Sequence, residues 1–283
     1  MTDDIKITIL TATFNCERTL EQTISSVINQ DYPNIEYVIV DGLSTDNTIN
    51  IIKKYSQYGI KWISESDTGL YDALNKGVDL STGDYIQILG SDDSLFNSNT
   101  ISNMVANIEE DTDVLSATVI AVDERSCKSY ICDNTHAKNK EKYSGGMIPH
   151  QGMMVRNSVL KKYKFDTRYK ISADYKFFLQ CYYNDNIKFK FINTPVAFYS
   201  NGGVSSDLDL CWRENNRLYY ELNLPFYDSH TKSDRLWKKY LKYILMKMHC
   251  LLFLKKLKRR WKEKIMWKKH HCDNKICRWC GRL

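Results

Sequence analysis

Four short apolar runs, at residues 5–10, 35–40, 60–64 and 85–89, alternate with stretches whose apolar residues recur every three or four positions, and this alternation constrains the fold more than any other feature. In residues 17–30, Leu20, Ile24, Val27 and Ile28 fall on one helical face; Ile49, Ile52 and Tyr55 repeat the pattern after Asp46, and residues 70–80 form a third helix. Apolar runs joined by amphipathic helices pack as an α/β architecture, a Rossmann-like, mostly parallel sheet with helices on both faces. Such sheets bind ligands beyond the carboxyl ends of their strands. Polar groups gather at those ends: Thr11 and Thr13, then Asp41, then residues 64–67 with Asp67, then Ser91, Asp92 and Asp93.

The exit from the first run reads Thr11-Ala12-Thr13-Phe14-Asn15-Cys16, with neither the GxGxxG of a dinucleotide site nor the GxxxxGK[ST] of a P-loop. A phosphate bound there needs another counter-charge, and a divalent metal held by Asp92 and Asp93 would supply it. The same pair also reads as a solvated turn with an Asp helix cap. Further along come a helix with Ile101, Met104, Val105 and Ile108, a strand at 114–122, and a polar, aperiodic stretch at 123–146 that reads as a mobile loop near a site. A short strand follows from His150 to residue 155, then a helix from Ser172 to about residue 183, then strand-like runs at 187–192 and 196–199. Ser172 is suited to cap that helix, which puts Asp174 in its first turn, where the helix dipole favours a carboxylate. No Gly-x-Ser-x-Gly elbow is present and no cysteine of the body has a motif-level His partner, which argues against a triad hydrolase; Cys16, Cys181 and Cys211 read as packing residues.

The ordered motifs Ile7-Thr8-Ile9-Leu10-Thr11-Ala12-Thr13-Phe14-Asn15, Gln30-Asp31-Tyr32-Pro33-Asn34-Ile35-Glu36, Val40-Asp41-Gly42-Leu43-Ser44-Thr45-Asp46-Asn47-Thr48, Ser64-Glu65-Ser66-Asp67-Thr68-Gly69-Leu70-Tyr71-Asp72-Ala73-Leu74-Asn75-Lys76-Gly77, Thr82-Gly83-Asp84-Tyr85 and Leu89-Gly90-Ser91-Asp92-Asp93 resemble the family-two glycosyltransferases of GT-A fold. The likeness covers about residues 5–200 and is strongest to bacterial members that build O-antigen and other surface polysaccharides. It implies that Thr11, Thr13 and Asp41 line the nucleoside pocket, Asp41 accepting from the base ring N–H. It also implies that Asp67 lies beside the nucleoside, Asp92 near the ribose, and Asp93 on a Mn²⁺ or Mg²⁺ ion bridging the donor diphosphate. Two departures stand out: Gly90 and Ser91 replace the first acid of an Asp-x-Asp, and Leu74 sits where many relatives carry Arg. The Pro149-His150-Gln151-Gly152 segment resembles the family's His-Gln pair, with His150 and Gln151 as acceptor or diphosphate contacts. Asp174 is then the base that deprotonates the acceptor hydroxyl as it attacks the sugar C1. A first-turn helix acid and a satisfied core histidine are the plain alternatives for Asp174 and His150.

The net charge of +6 divides unevenly: residues 231–283 hold 18 Lys and Arg against 3 Asp and Glu, leaving 22 against 31 for residues 1–230. An acidic GT-A body at 1–230, with a nucleotide-binding half at 1–95 and an acceptor half at 96–230, therefore carries a basic helical tail at 231–283. Trp237, Leu241, Ile244, Leu245, Met248, Leu251 and Leu252 lie at helical spacing, with Lys238, Lys239, Lys242 and Lys247 largely opposite. That pattern suits an amphipathic helix lying on an anionic membrane surface, and its apolar stretches are too short to cross one. Nucleic acid is not an expected partner, because the acidic body would repel it. His271, Cys272, Cys277 and Cys280 could ligate zinc, although the C-x4-C loop is unusual and reduced thiols are the simpler reading. Without a secretory h-region, and with nine irregularly spaced cysteines, the chain is expected in the cytoplasm, at the inner face of a bacterial membrane.

The combined expectation is an inverting, metal-dependent transferase moving a hexose from a nucleotide sugar, a UDP-sugar by the resemblance, to a lipid-linked oligosaccharide in surface-polysaccharide synthesis. The competing classes are a nucleotidyltransferase, whose glycine-rich basic entry loop is missing, and a non-catalytic nucleotide-sugar-binding scaffold tethered by the tail.

Overall fold

The structure is a computed structural model that describes residues 5–123, 128–141, 143, 145–200, 207–224 and 268–269. Its central strands, β1 (Ile7–Thr13), β2 (Ile35–Asp41), β3 (Lys61–Ser64), β4 (Tyr85–Ile88), β6 (Val114–Asp123) and β8 (Met153–Arg156), lie in the order β3-β2-β1-β4-β8-β6. The pairs among β1 to β4 are parallel, and β8 runs against both β4 and β6, so the mostly parallel expectation holds for this central part. β9 (Phe189–Ser200) runs parallel to β6, with register shifts between Ser116 and Val119. It is one strand where the sequence suggests two runs. The two-residue β5 (Ser94–Leu95), which sequence reading does not anticipate, pairs with β9.

Alternation along β1 and β2 supplies two cores. Ile7, Ile9 and Ile39 face α1 (Leu20–Ile28), α2 (Thr48–Lys54) and α4 (Thr100–Val105), while Leu10, Val38 and Val40 face α3 (Leu70–Leu80), α5 (Asn157–Tyr163) and α6 (Ala173–Tyr182). Each fully buried Ile or Leu contributes roughly 1.5–3 kcal/mol, so the doubly covered sheet is the rigid part of the molecule. At the amino end of the strands, buried Glu36 accepts from Thr8, from the Thr82 N–H and hydroxyl, and from the ammonium groups of Lys6 and Lys61. This hub ties β1, β2, β3 and the α3–β4 turn together, far along the strands from their functional ends.

Several expectations change. The stretch at 123–146 is not one aperiodic loop: residues 128–132 form β7 (Lys128–Cys132), a hairpin partner of β6, and Asn134, Ala137 and Tyr143 are buried. The strand expected from His150 begins at Met153, because His150–Gly152 forms a 3-10 turn. Helices α5 and α7 (Leu208–Glu221) are additional. Ser172 occupies the N-cap position of α6 but makes no side-chain capping bond there. Within the tail, Lys268–Lys269 (β10) pair with Lys128 and Ser129 of β7 as strand rather than helix. The expected helix around Trp237 to Trp261 and the zinc candidates His271, Cys272, Cys277 and Cys280 lie outside the described residues. No helix among the described residues is long and apolar enough to cross a membrane.

Candidate active site

The carboxyl ends of β1 and β2 are locked together by short-range chemistry. Thr13 and Asp41 are in register, and Gly42 N–H donates to the Thr13 carbonyl at 2.9 Å. Asn15, held at φ 52°, accepts the Thr45 N–H and donates its own N–H to Ser44. Glu17 accepts from the Asn47 N–H, and Thr48 accepts from the Cys16 N–H. Asp41 is fully buried, and its carboxylate accepts from the Ser44 N–H, the Ser44 hydroxyl and the Ser64 hydroxyl. One of a carboxylate's four acceptor positions remains. Thr13 Oγ1 is buried with no hydrogen-bond partner, an uncommon state for a hydroxyl.

Thr11 departs from expectation. It is fully buried and its hydroxyl lies 3.3 Å from that of Tyr37, so its polar group is engaged within the core rather than held open as that of Thr13 is. Leu74 is likewise a buried core residue of α3. Asp67 is half-buried and accepts the Gly69 N–H at 2.9 Å. Its Oδ2 stands where a Cβ at position 42 would lie, so a side chain there would displace the Asp67 carboxylate. Exposed Phe14 and Leu43 flank the same loops.

Residues 90–93 form a turn closed by the Asp93 N–H on the Gly90 carbonyl, and α1 clamps it through Thr19 on the Ser91 carbonyl and Thr23 on that of Asp93. Asp93 is almost wholly buried. Its Oδ1 accepts the Ser200 N–H at 3.0 Å, and its Oδ2 accepts Gln151 Nε2 at 2.9 Å and the Gly90 N–H at 3.2 Å. Burial pushes this carboxyl above its ordinary range, against the three hydrogen bonds. A Cβ at Gly90 would stand 2.5 Å from Asp93 Oδ2 and 3.1 Å from Asp92 Oδ1. The two carboxylates thus border one small hollow that glycine leaves open, and a side chain there would have to displace them. Among the described residues no three His, Cys, Asp or Glu side chains converge as a metal site. Two carboxylates are a hard oxygen donor set that fits Mg²⁺ or Mn²⁺ when a diphosphate completes the shell.

Asp174, second residue of α6, is 24 positions from His150 and 103 from Tyr71, and the fold brings all three together. Asp174 Oδ1 accepts the Tyr71 hydroxyl and the Tyr175 N–H, each at 2.9 Å, and Oδ2 lies 3.1 Å from His150 Nδ1. Burial and the Asp174 charge hold the Tyr71 phenol well above its usual range, so it stays a donor. Burial disfavours the His150 imidazolium, but the bond to Asp174 and the charges of Asp174, Asp93 and Asp92 outweigh it, raising its pKa. Beneath the pair lies an apolar cavity of about 10 Å³ bordered by Ile86, Met153, Phe165 and Phe177. Gln151, the next residue after His150, is bonded to Asp93, so one 3-10 turn links Asp93 to Asp174. Of these residues, sequence reasoning gives no role to Tyr71, Ser44 or the Ser200 N–H; Tyr71 and Ser44 are visible only as members of the Asp67 and Asp41 motifs.

Asp41 thus stands at the end of β2, Asp92 and Asp93 in the turn after β4 on the far side of β1, and Asp174 at the start of α6. The chain belongs to glycosyl transferase family 2, whose model matches residues 8–164. It is a glycosyltransferase with the GT-A type of fold. A PGL/p-HBAD biosynthesis glycosyltransferase of Mycobacterium bovis is 31% identical over 209 residues, 71% of this chain and 79% of that one. Among solved structures, TarS 1-349 of S. aureus in complex with UDP-GlcNAc has a TM-score of 0.62 at 21% identity, covering 77% of this chain and 66% of that one. The mannosyltransferase PcManGT of Pyrobaculum calidifontis, in complex with GDP-Man and Mn²⁺, has a TM-score of 0.56 at 16% identity, covering 77% and 64%. The chain spans 39% of the longer TarS chain.

Proposed function

We propose that the protein is an inverting, metal-dependent glycosyltransferase that moves a hexose from a UDP-sugar to a lipid-linked acceptor in surface-polysaccharide synthesis, working at the inner face of a bacterial membrane. The observation that carries the reading is the Asp174 carboxylate. Tyr71 and the Tyr175 N–H fill Oδ1, whereas Oδ2 has only His150, leaving one acceptor position on Oδ2 among the described residues. That lone pair takes the proton of the acceptor hydroxyl while the acceptor oxygen bonds to the sugar C1. The C1–phosphate bond breaks on the opposite face, and the nucleoside diphosphate leaves with the electron pair. A single displacement inverts C1, so an α-linked donor yields a β-glycoside.

Tyr71 and His150 fix the carboxylate, as preorganised catalysis requires. On the donor side, Asp41 offers its remaining acceptor position to a base N–H, and Asp67 stands next to that pocket. Asp92 and Asp93 would hold a divalent cation, whose chemistry is to neutralise charge on the departing diphosphate. The neighbours bound to UDP-GlcNAc and to GDP-Man with Mn²⁺ support a nucleotide-sugar donor and a divalent ion. The lipid-linked acceptor and membrane surface rest on the resemblance to surface-polysaccharide enzymes and on the 18 Lys and Arg of residues 231–283. The test is turnover of a panel of nucleotide sugars with Mn²⁺ and a lipid-diphosphate sugar acceptor, with the product's anomeric configuration read by NMR. A β-product from an α-donor is expected. Retention of configuration would overturn the mechanism, and nucleotide release without sugar transfer would overturn the function.

A further inference from the structure

The segment that presents Asp174 is held by a residue that belongs to no motif. Lys170, Ile171 and Ser172 precede α6, and their three N–H groups point at one carboxylate, that of Glu214 in the second turn of α7. Oε1 accepts the Lys170 N–H at 2.7 Å, and Oε2 accepts the N–H groups of Ile171 at 3.0 Å and Ser172 at 2.9 Å. Glu214 is buried, 8% exposed. Ser172 does not cap α6 with its own side chain, so the lead-in to the helix takes its anchor from α7.

A second grip lies on the other side of Asp174. Lys176, buried in the first half of α6, gives its ammonium to Asp166 at 2.7 Å and to Glu221 of α7 at 2.5 Å. Arg217, one turn before, also bonds to Glu221. Asp174 therefore lies between two attachments to one helix, at residues 170–172 and at residue 176. Neither attachment touches Asp174, so both act through the backbone that carries it.

We propose that Glu214 is a positioning residue: α7 clasps the start of α6 and thereby sets where Asp174 stands relative to Tyr71, His150 and the acceptor hydroxyl. The proposal rests on Asp174 being the base. Three N–H donors need acceptors on both oxygens, and only a carboxylate supplies two acceptor oxygens in this geometry; an amide would turn an N–H₂ toward one of the donors. A loosened lead-in shifts the base, and displacement on the order of 1 Å costs about a hundredfold in rate. The donor pocket, built from β1, β2 and the 90–93 turn, makes none of these contacts.

The experiment is a double-mutant cycle between Glu214→Gln and Asp174→Asn, measuring kcat for sugar transfer alongside UDP affinity by calorimetry with Mn²⁺. Glu214→Gln should lower kcat about tenfold to a hundredfold and leave UDP affinity within about twofold. In the Asp174→Asn background the same change should cost less than about twofold, because there is no base left to misplace. Hydrogen exchange should quicken at the amides of residues 170–172 in Glu214→Gln. An equal penalty in both backgrounds, or kcat and UDP affinity falling together, would mean that Glu214 serves only folding and overturns the proposal. If Asp174→Asn alone keeps wild-type kcat, the base assignment fails, which is a distinct outcome from a failed clasp. Should Glu214→Gln not fold, Glu214→Asp keeps the charge but retracts the oxygens, and the same cycle is read with it.

Discussion

Replacing Gly90 by alanine puts a methyl group into the hollow between the two paired acids. It would lie 2.5 Å from Asp93 Oδ2 and 3.1 Å from both Asp93 Cγ and Asp92 Oδ1, whereas ordinary contact begins near 3.4 Å. The Asp93 carboxylate must then retreat by about 0.9 Å, the difference between 3.4 and 2.5 Å. A move of that size carries Oδ2 out of bonding range of Gln151 Nε2, now at 2.9 Å, or of the Gly90 N–H, now at 3.2 Å. A hydrogen bond to a charged group is worth about 1.5–3 kcal/mol, or roughly tenfold to a hundredfold in an equilibrium. Gly90→Ala should therefore reduce the Mn²⁺-dependent part of UDP affinity by about that factor, read by calorimetry with and without the ion. Melting should fall modestly, because Oδ1 keeps the Ser200 N–H. Affinity and Mn²⁺ response within twofold of wild type would refute the argument, since the carboxylates would then be free to reorganise at no cost.

Asp93→Ala should abolish transfer and remove the Mn²⁺-dependent gain in UDP affinity, and chelation of divalent ions should silence the wild type reversibly; near-wild-type turnover by the variant would move the ion elsewhere. Burial by itself raises the Glu36 pKa, but Lys61, Thr82 and Thr8 hold that carboxyl far below its usual range. Its stabilisation is therefore present above the ordinary value of 4.5 and lost as pH falls below it. Glu36→Gln should cost about 1.5–3 kcal/mol at pH 7, the worth of a hydrogen bond to a charged group, and flatten the acid limb of the melting-temperature profile; parallel profiles for both proteins would contradict this. Removal of residues 231–283 should release the protein from anionic vesicles while sparing transfer to a short soluble acceptor, and binding of the intact chain should weaken with salt; equal vesicle binding with and without the segment would defeat the anchor reading.

Residues 5–95 are largely legible in the sequence because their signals are local. β1 to β4 are apolar runs a few residues long, α1 to α3 carry 3.6-period faces between them, and Asp41, Asp67, Asp92 and Asp93 stand at the strand ends where such a sheet opens. What is not legible depends on partners distant in the chain. β7 forms against β6 from a mostly polar stretch and keeps Ile131 on the surface. The seven-residue α5 is too short to display a period, and α7 is a polar helix whose buried face rests on few apolar residues, Leu218 among them. Thr11 sits at a strand end, yet the pleat turns its hydroxyl toward Tyr37 and the core. The pairings of Asp174 with Tyr71 and of Gln151 with Asp93 span 103 and 58 residues, and no spacing rule reaches that far.

The proton acceptor is the centre of the account, and Asp174→Asn measures it with little change of shape, since the amide oxygen can still accept from Tyr71 or the Tyr175 N–H. With donor and acceptor saturating and UDP affinity measured in parallel, kcat should fall about a hundredfold or more while UDP binding stays within about twofold of wild type. A variant that transfers sugar at the wild-type rate, or one that loses UDP binding in step with kcat, would contradict the assignment of Asp174 as the base.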